Sequence, residues 1–244
     1  MLAGKLALVT GAGGGIGRAA CQLLAEAGAK IVAVDANVTS AKETISLLAG
    51  SDHLARRIDV SKSSDVAATF DTIKEKYYSP PNVIVNVAGI LKDNFLLKIA
   101  EEDFDKVFAV NLKGTFLITQ KACQHLIDAG LPGSVINISS IVAKRGNLGQ
   151  CTYASSKASV VTFSKCVALE MAKYNIRCNV ILPGFVSTTM TDGIPEKVKT
   201  MFTSMIPMRR FGKPEEIGEV IKFLASDQSS YVTGTSVDVT GGFE

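Results

Sequence analysis

The chain of 244 residues is 47% hydrophobic and 20% charged, which is typical of one sizeable folded domain and argues against a disordered protein. Its formal net charge of +3, spread along the sequence, disfavours nucleic acid as the main partner. The sequence has 2 histidines and 5 cysteines that form no C-x-x-C pair, so we expect reduced thiols and no metal site. We also expect no membrane span and no cleavable secretory signal.

Short apolar segments alternate with amphipathic segments along the whole chain. The first apolar segment, 5–10, ends at a glycine cluster as a buried strand does, and 16–27 has helical spacing, with Gly28 predicted to end the helix. This alternation predicts an α/β fold, a doubly wound parallel sheet with helices on both faces. No repeat or linker divides the chain, so we expect a single domain over 1–244. The further predicted strands are Ile31–Asp35, Leu54–Val60, Asn82–Gly89, Ser134–Ser140, Ile176–Gly184 and Ser236–Thr240, and the further predicted helices are Ser40–Leu48, Ser64–Tyr77, Glu101–Leu112, Gly114–Ala129, Tyr153–Tyr174 and Pro214–Ser226.

A glycine-rich segment, TGAGGGIG at 10–17, joins the first predicted strand to the first predicted helix. In a doubly wound sheet, ligands bind beyond the carboxyl ends of the strands, where a helix N-terminus directs its unpaired N–H groups and positive dipole end. Glycines let the backbone turn sharply and approach phosphates closely, so the segment predicts a pyrophosphate site. Gly17 is predicted to let the helix pack tightly on the strand. A strand-to-helix turn without a ligand is the alternative.

Asp35 ends the second predicted strand, about twenty residues after the glycine segment, where a carboxylate can accept hydrogen bonds from an adenosine ribose. The same charge would repel a 2′-phosphate, and neither Gly14 nor the following Ala36 and Asn37 offers a positive charge to hold one. These residues predict NAD(H) rather than NADP(H) as the cofactor. A solvated strand-end carboxylate is the alternative interpretation of Asp35.

Tyr153 and Lys157 are four residues apart and share one face of a predicted helix. A free tyrosine has a pKa of about 10, and a nearby ammonium lowers that value, so the pair predicts a general acid and base. Ser140 ends a predicted strand at the same edge of the sheet, and its hydroxyl can hydrogen-bond a substrate oxygen. A solvated helix-surface pair and a cap or turn serine are the alternatives.

Segments in five places together resemble, in order, the motifs of the classical short-chain dehydrogenase/reductase family: TGAGGGIG, NVAG, NLKG, SS before GNLGQCTYASSK, and PGFVSTTM. The resemblance covers essentially the whole chain and implies a single Rossmann-type doubly wound parallel sheet of about seven strands. It implies that Ser140, Tyr153 and Lys157 are catalytic and that Asn111 holds a water connecting Lys157 to solvent. Val87 stands where the family usually has a second asparagine, and we expect this to be tolerated. The positions implied for cofactor binding are Gly11, Gly15, Ile16, Gly17, Asp35, Asp59, Val60, Asn86, Ala88, Gly89, Tyr153, Lys157, Pro183, Gly184, Val186 and Thr188.

The resemblance also implies a substrate class, a ketone that is interconverted with a secondary alcohol. Within the family, the chain is similar to hydroxysteroid dehydrogenases and to bacterial 3-oxoacyl-[acyl-carrier-protein] reductases. This implies reduction of 3-oxoacyl thioesters in fatty acid metabolism, with estradiol oxidation as a further activity. A dedicated estradiol dehydrogenase and a non-catalytic NAD-binding scaffold are the alternatives.

A substrate lid is predicted at 188–208, between a strand and a helix. Its apolar, methionine-rich composition suits an acyl chain or a steroid, or else packs on the core or on a neighbouring subunit. The apolar lid residues are Met190, Ile194, Met201, Phe202, Met205 and Ile206.

The resemblance implies a homotetramer, or a heterotetramer with a second, NADPH-preferring reductase subunit. The implied location is the mitochondrial matrix, with the cytoplasm as the alternative. The arginine pair with which bacterial reductases dock acyl carrier protein corresponds here to Leu131 and Tyr174. We therefore expect either that a partner subunit docks the carrier protein or that the substrate is a CoA ester.

Overall fold

The computed structural model describes residues 2–188, 191, 193 and 195–244. Within them, the strands are β1 (Leu6–Thr10), β2 (Lys30–Asp35), β3 (Leu54–Arg57), β4 (Val83–Asn86), β5 (Gly133–Ile138), β6 (Ile176–Pro183) and β7 (Ser236–Val239). They form one parallel sheet in the order β3-β2-β1-β4-β5-β6-β7. The chain builds the sheet outward from β1 in one direction and then, from β4, in the other, so the predicted doubly wound fold is confirmed.

The helices lie on both faces of this sheet and were mostly predicted from the sequence. The short α6 and the lid helix α8 were not predicted, because α6 is a single turn and the sequence of α8 was assigned as a whole to the lid. The α-helices are α1 (Gly15–Glu26), α2 (Val38–Ser46), α3 (Ser63–Tyr77), α4 (Glu101–Phe108), α5 (Thr115–Asp128), α6 (Val142–Arg145), α7 (Cys151–Met171), α8 (Glu196–Met205) and α9 (Pro214–Ala225).

The central strand β1 shows how the sheet is buried on both faces. All its residues are buried, and successive side chains enter two different apolar clusters. Ala7 and Val9 pack with residues of α1 and α9, whereas Leu6 and Leu8 pack with residues of α3 and α5. The packed core thereby fixes the carboxyl ends of the strands at one edge.

The region 101–128 differs from the predicted pair of separate helices. α4 continues through a π-helical segment, Ala109–Gly114, directly into α5. Gly114 does not interrupt the helix, and a Cβ on it would come within 2.6 Å of Val60 Cγ2, so the close packing explains the glycine. π-Helical insertions are frequent at functional sites, and this one contains Asn111.

Three strands end two or three residues earlier than predicted, and β6 and β7 end one residue earlier. β3 ends at Arg57 instead of Val60, β4 at Asn86 instead of Gly89, and β5 at Ile138 instead of Ser140. An apolar run continues past the last ladder hydrogen bond because the following loop residues are also partly buried. These loop residues form the walls of cavities beyond the strand ends.

Candidate active site

The glycine segment after β1 forms a tight turn against the loop that follows β4. Gly11 has a φ of +65°, and a Cβ on it would lie 2.9 Å from Ala88 Cα. A Cβ on Gly17 would overlap the carbonyl oxygen of Gly11, so α1 packs on the turn only with glycine there, as the sequence predicts. A Cβ on Gly15 would lie 3.1 Å from Thr188 Cγ2. The turn therefore brings bare backbone to the crevice between β1 and β4.

Hydrogen bonds fix the side chains that frame this turn. The Asp35 carboxylate accepts the Gly13 N–H on one oxygen and the Asn37 N–H on the other, both at 2.9 Å. The buried Thr10 hydroxyl accepts the consecutive N–H groups of 87–88 at 3.1 and 3.2 Å, which ties β1 to the loop after β4. The sequence alone indicates no role for Thr10, because its partners lie 77 and 78 residues away.

A cavity of about 390 Å³ lies beyond the ends of β2 and β4. It brings the predicted Asp59 and Val60 together with Ala88 and Gly89. The Asp59 carboxylate accepts the Ser61 hydroxyl at 2.6 Å, and this hydrogen bond lowers the pKa of Asp59. Asp59 and Val60 thus both lie at the wall of this cavity, where Ser61 holds the Asp59 carboxylate.

Asn86 is the one member of the predicted segment 86–89 that lines neither this cavity nor the one described next. Its Nδ2 donates to Thr119 Oγ1 at 3.1 Å and to Asn137 Oδ1 at 2.8 Å, both within the core. Asn86 is the last residue of β4, and its side chain points to the sheet face that α5 covers. The structure therefore places it beneath the cavities, where it supports their floor.

A second cavity, of about 320 Å³, continues from the glycine turn along the ends of β4, β5 and β6. It meets the first at Gly11, Asp35, Ala88 and Gly89, and we call the two together the long cleft. The predicted residues that line this second part are Gly11, Gly15, Ile16, Asp35, Ala88, Gly89, Ser140, Tyr153, Lys157, Pro183, Gly184, Val186 and Thr188.

Ser140 and Tyr153 lie together in the long cleft. Tyr153 is in the first turn of α7, and Ser140 lies just beyond β5, where its hydroxyl accepts the Val142 N–H at 3.3 Å. Burial raises the pKa of Tyr153 to about 12; the neighbouring Ser140 hydroxyl counteracts this in part, and the charge of Asp93 adds to it. The predicted lowering of this pKa is therefore wrong for this arrangement, and the phenol is a proton donor at neutral pH.

Lys157 lies one turn further along α7 and is 4% exposed. Its Nζ donates to the Ile138 carbonyl at 2.9 Å and lies 5.7 Å from the centre of the Tyr153 ring. Desolvation lowers the pKa of Lys157 to about 8. Because the pKa of Lys157 is about 8, the lysine is a neutral amine at the pH where the phenol titrates, and it then carries no charge that would lower the pKa of Tyr153.

Asn111 is buried beside this group, in the π-helical segment. Its carboxamide accepts the Ile90 N–H at 2.8 Å and donates to the Ile90 carbonyl at 3.1 Å and to the Ser156 hydroxyl at 3.0 Å. A Cβ on Gly89 would lie 3.2 Å from Lys157 Nζ and 3.3 Å from Asn111 Oδ1. The Asn111 side chain thus fixes the loop after β4 next to the lysine.

A third cavity, of about 490 Å³, opens from Ser140 and Tyr153, and we call it the side cavity. An aromatic stack forms one wall, with the ring centre of Phe185 at 4.3 Å from that of Phe202 and 5.2 Å from that of Phe243. Phe202 belongs to α8, so part of the predicted lid borders the cavity. Of the other predicted lid residues, Met205 lines the cavity, Ile206 is buried, Met201 is exposed, and Met190 and Ile194 lie outside the described residues.

Asp93 and Gln150 are polar residues of the side cavity that the sequence alone did not single out. Gln150 Nε2 donates to Asp93 Oδ2 at 2.8 Å, and Gln150 Oε1 accepts the Asn147 Nδ2 at 3.0 Å. Burial raises the pKa of Asp93. The pair is separated by 57 residues, so no local pattern could have joined them.

The family model described as enoyl-(acyl carrier protein) reductase matches residues 11–244. The (3R)-3-hydroxyacyl-CoA dehydrogenase of Homo sapiens is 49% identical over 99% of this chain and 96% of its own length. The chain belongs to the short-chain dehydrogenase/reductase family. The estradiol 17-beta-dehydrogenase 8 sequence of Callithrix jacchus is 54% identical over 55% of this chain and 100% of its own length. The structure of 3-ketoacyl-(acyl-carrier-protein) reductase from Brucella melitensis complexed with NADH matches with a TM-score of 0.92 and 33% identity, covering 99% of each chain.

As a short-chain dehydrogenase/reductase, the chain is an oxidoreductase that uses a nicotinamide cofactor. The long cleft fits a dinucleotide because Gly11, Gly14 and Gly15 line it, so backbone without side chains faces the space that a pyrophosphate would occupy. Asp35 lies along the cleft and the Ser140–Tyr153 pair borders one part of it. The arrangement can therefore hold the pyrophosphate and ribose by backbone and carboxylate, and can transfer a proton beside the reacting carbon.

Two further properties concern the described part of the chain. None of its helices combines the length and apolarity needed to cross a bilayer. In the same residues, no cluster of three or more histidine, cysteine or carboxylate side chains is placed to hold a metal ion.

Proposed function

We propose that this short-chain dehydrogenase/reductase interconverts 3-oxoacyl and 3-hydroxyacyl thioesters with NAD(H), as part of fatty acid metabolism. The observation that carries the proposal is the position of Tyr153, which borders both the long cleft and the side cavity beside Ser140. The relatives named as a 3-hydroxyacyl-CoA dehydrogenase and a 3-ketoacyl-(acyl-carrier-protein) reductase support the thioester as substrate.

The proposed chemistry uses four residues of this chain. Ser140 and Tyr153 hydrogen-bond the substrate carbonyl oxygen and stabilise the charge that develops on it. A bound nicotinamide supplies the hydride in reduction and accepts it in oxidation. Tyr153, which is protonated at neutral pH because its pKa is about 12, donates the proton, and Lys157, with a pKa of about 8, returns one to it. Asn111 holds the adjoining loop and, as the resemblance implies, a water that connects Lys157 to solvent.

The proposed cofactor is NAD(H) rather than NADP(H). Asp35 is held against the glycine turn by the Gly13 N–H, and its negative charge favours a ribose with free hydroxyls over a 2′-phosphate. The Arg18 guanidinium on α1 is already bonded to the Gly13 carbonyl at 2.7 Å, to Thr44 Oγ1 at 3.0 Å and to Glu43 Oε2 at 3.3 Å. Its charge is therefore engaged and is not free to compensate a phosphate.

A dedicated estradiol 17β-dehydrogenase is the second candidate. The aromatic wall of the side cavity suits a steroid, and the Callithrix relative carries that name. A non-catalytic NAD-binding scaffold is disfavoured, because Asn111, Ser140, Tyr153 and Lys157 are all present and close together.

We also propose tetrameric assembly, either of identical subunits or with a second, NADPH-preferring reductase subunit. An apolar groove of about 1020 Å³ between α4, α5 and α7 supports a subunit interface on that face, and it includes Phe108, Phe116 and Phe163. The proposed location is the mitochondrial matrix, with the cytoplasm as the alternative, on the basis of the family resemblance.

The decisive experiment is the loss of NADH absorbance with acetoacetyl-CoA, run beside NADPH and beside estradiol with NAD⁺. We expect fast NADH consumption with the thioester and little consumption of NADPH. Steroid turnover without thioester turnover would instead favour the second candidate. NADH binding without either activity would favour the scaffold.

A further inference from the structure

We infer that Arg145 is the anion-binding residue of the side cavity and holds a phosphate of the carrier on which the acyl substrate arrives. This inference rests on the proposed thioester substrate. Arg145 ends α6 and lines the same cavity as Ser140 and Tyr153, where the reacting carbonyl is proposed to lie. Ser140 and Tyr153 thus form the end of the cavity where the reaction is proposed to occur, and Arg145 forms a positively charged end.

The Arg145 guanidinium has hydrogen-bonding capacity that the protein does not use. Of the 7 arginines in the sequence, it is the one whose side chain takes part in no hydrogen bond and no ion pair among the described residues. Arg177, by contrast, donates to three backbone carbonyls, and Arg210 donates to both oxygens of Glu216. A guanidinium carries five N–H donors in a planar fork, so Arg145 can donate to an anion without breaking a hydrogen bond to another described residue.

An aromatic ring holds this guanidinium over the cavity. Its central carbon lies 4.1 Å from the centre of the Phe243 ring, which is a close cation–π contact. Phe243 is itself buried and packs on Phe185, which stacks on Phe202 of α8. The guanidinium therefore rests on a packed wall, so less conformational entropy is lost when it binds an anion.

Charge around the cavity fixes which end an anionic group would occupy. Asp93, beside Gln150, carries a carboxylate on the same cavity and disfavours a second negative group near it. The neighbouring Lys144 is held by Asp238 at 2.6 Å and does not line the cavity. Arg145 is consequently the cation placed to receive a phosphate, because the planar fork matches the phosphate oxygens.

The first test is calorimetric titration of CoA into the protein saturated with NAD⁺, which blocks the long cleft against the adenosine part of CoA. We expect Arg145→Met to weaken CoA binding about tenfold, as for the loss of a charge-assisted hydrogen bond. Arg145→Lys should recover part of the affinity, because it keeps the charge without the fork. Lys144→Met removes the same charge one residue away and should change the affinity less than about twofold. Equal binding by wild type and Arg145→Met, or no binding of CoA by wild type, would overturn the inference.

The second test compares substrates that share the reacting end but differ in the carrier. With acetoacetyl-CoA, Arg145→Met should raise KM about tenfold with kcat nearly unchanged, whereas with the phosphate-free acetoacetyl-N-acetylcysteamine both constants should match wild type. An equal effect with acetoacetyl-acyl carrier protein would assign the phosphate next to pantetheine, and an effect with CoA alone would assign the adenosine phosphates. A loss confined to free acetoacetate would contradict the inference, since the anion would then be a carboxylate. Absence of all thioester turnover in wild type would refute the proposed function, while the CoA titration would still decide the role of Arg145.

Discussion

The two halves of the active site are built in different ways. Where the long cleft crosses the ends of β1, β2 and β4, it is shaped by backbone, with Gly11 and Gly17 in contacts that leave no room for a Cβ. In the β5–β6–β7 half, the side cavity is shaped by side chains, and the Phe185 stack and the Arg145 guanidinium form its wall. Backbone recognition suits a ligand that is always the same, whereas side chains on loops and a lid helix can change with the substrate.

Tyr153 belongs to both halves, so its substitution gives the sharpest test of where they meet. Tyr153→Phe removes only the hydroxyl and should lower kcat by about 10³-fold or more, because the proton donor is lost. The dissociation constant for NADH should stay within about threefold of wild type, since the ring that packs in the cleft is kept. Stopped-flow turnover and NADH fluorescence titration measure the two quantities on the same sample.

Retained turnover in Tyr153→Phe would show that the proton comes from another group. Tyr153 would then not be the catalytic residue shared by the long cleft and the side cavity. A strong loss of NADH binding would show instead that the hydroxyl serves the cleft more than the chemistry. The exposed Tyr231→Phe provides the matched control, because it removes the same hydroxyl far from the cleft.

The backbone-built half could be predicted well from the sequence, and the reason is local. The turn, Gly17 and Asp35 lie within about one strand–helix–strand unit, where spacing alone implies proximity. Adjacency in sequence does not give the position of the Asn86 carboxamide, which lies in the core, because the side chain at a strand end points to one face of the sheet and only the following loop turns toward the cleft.

The side-chain-built half was mostly hidden from the sequence. The Asp93–Gln150 pair and the contact of Arg145 with Phe243 join residues far apart in the chain, and no periodicity signals them. The pKa of Tyr153 was predicted in the wrong direction because the i,i+4 spacing gives the nearness of Lys157 but not the burial of the two side chains, which raises the pKa of the phenol and lowers the pKa of the lysine.

The next largest effect is expected for Gly17→Ala, which tests whether the shape of the long cleft requires a residue without a Cβ at this position. Gly17→Ala places a methyl group on the Gly11 carbonyl and should lower the free energy of unfolding by about 3 kcal/mol, through displacement of α1. Gly14→Ala is the matched control, since Gly14 has a φ of −174° and a Cβ there meets nothing within 4 Å. It should change stability by less than about 1 kcal/mol. Urea denaturation followed by circular dichroism measures both, and equal stabilities would contradict the packing argument.

Substitution of Lys157 tests how much the burial of its charge lowers the free energy of unfolding. Its folded pKa of about 8 lies below the ordinary 10.5, so the unfolded chain binds more protons between those values and stability contributed by this group rises with pH there. At pH 7 the buried ammonium is therefore destabilising, and Lys157→Met should raise the free energy of unfolding by about 2 kcal/mol while abolishing turnover.

The advantage of Lys157→Met should shrink as pH rises from about 8 to 10.5, because wild type then carries a neutral amine that costs less to bury. Urea denaturation of both proteins at pH 7 and pH 10 measures this difference. A variant that is less stable than wild type at pH 7 would show that the hydrogen bond to Ile138 outweighs the desolvation of the ammonium.

Asp35 is the side chain in the long cleft that is proposed to select the cofactor. Its substitution tests whether the backbone of the glycine turn alone determines the preference for NADH over NADPH. Asp35→Asn keeps one oxygen to accept the Gly13 N–H, but it removes the charge and the second oxygen, which accepts the Asn37 N–H. The ratio of kcat/KM for NADPH to that for NADH should rise about tenfold, because repulsion of the 2′-phosphate is lost and one charge-assisted hydrogen bond to the ribose is weakened. Asp71→Asn removes the same charge from an exposed position of α3 and should leave the ratio unchanged. A ratio that stays constant in Asp35→Asn would mean that the backbone of the glycine turn sets the cofactor preference without help from this carboxylate.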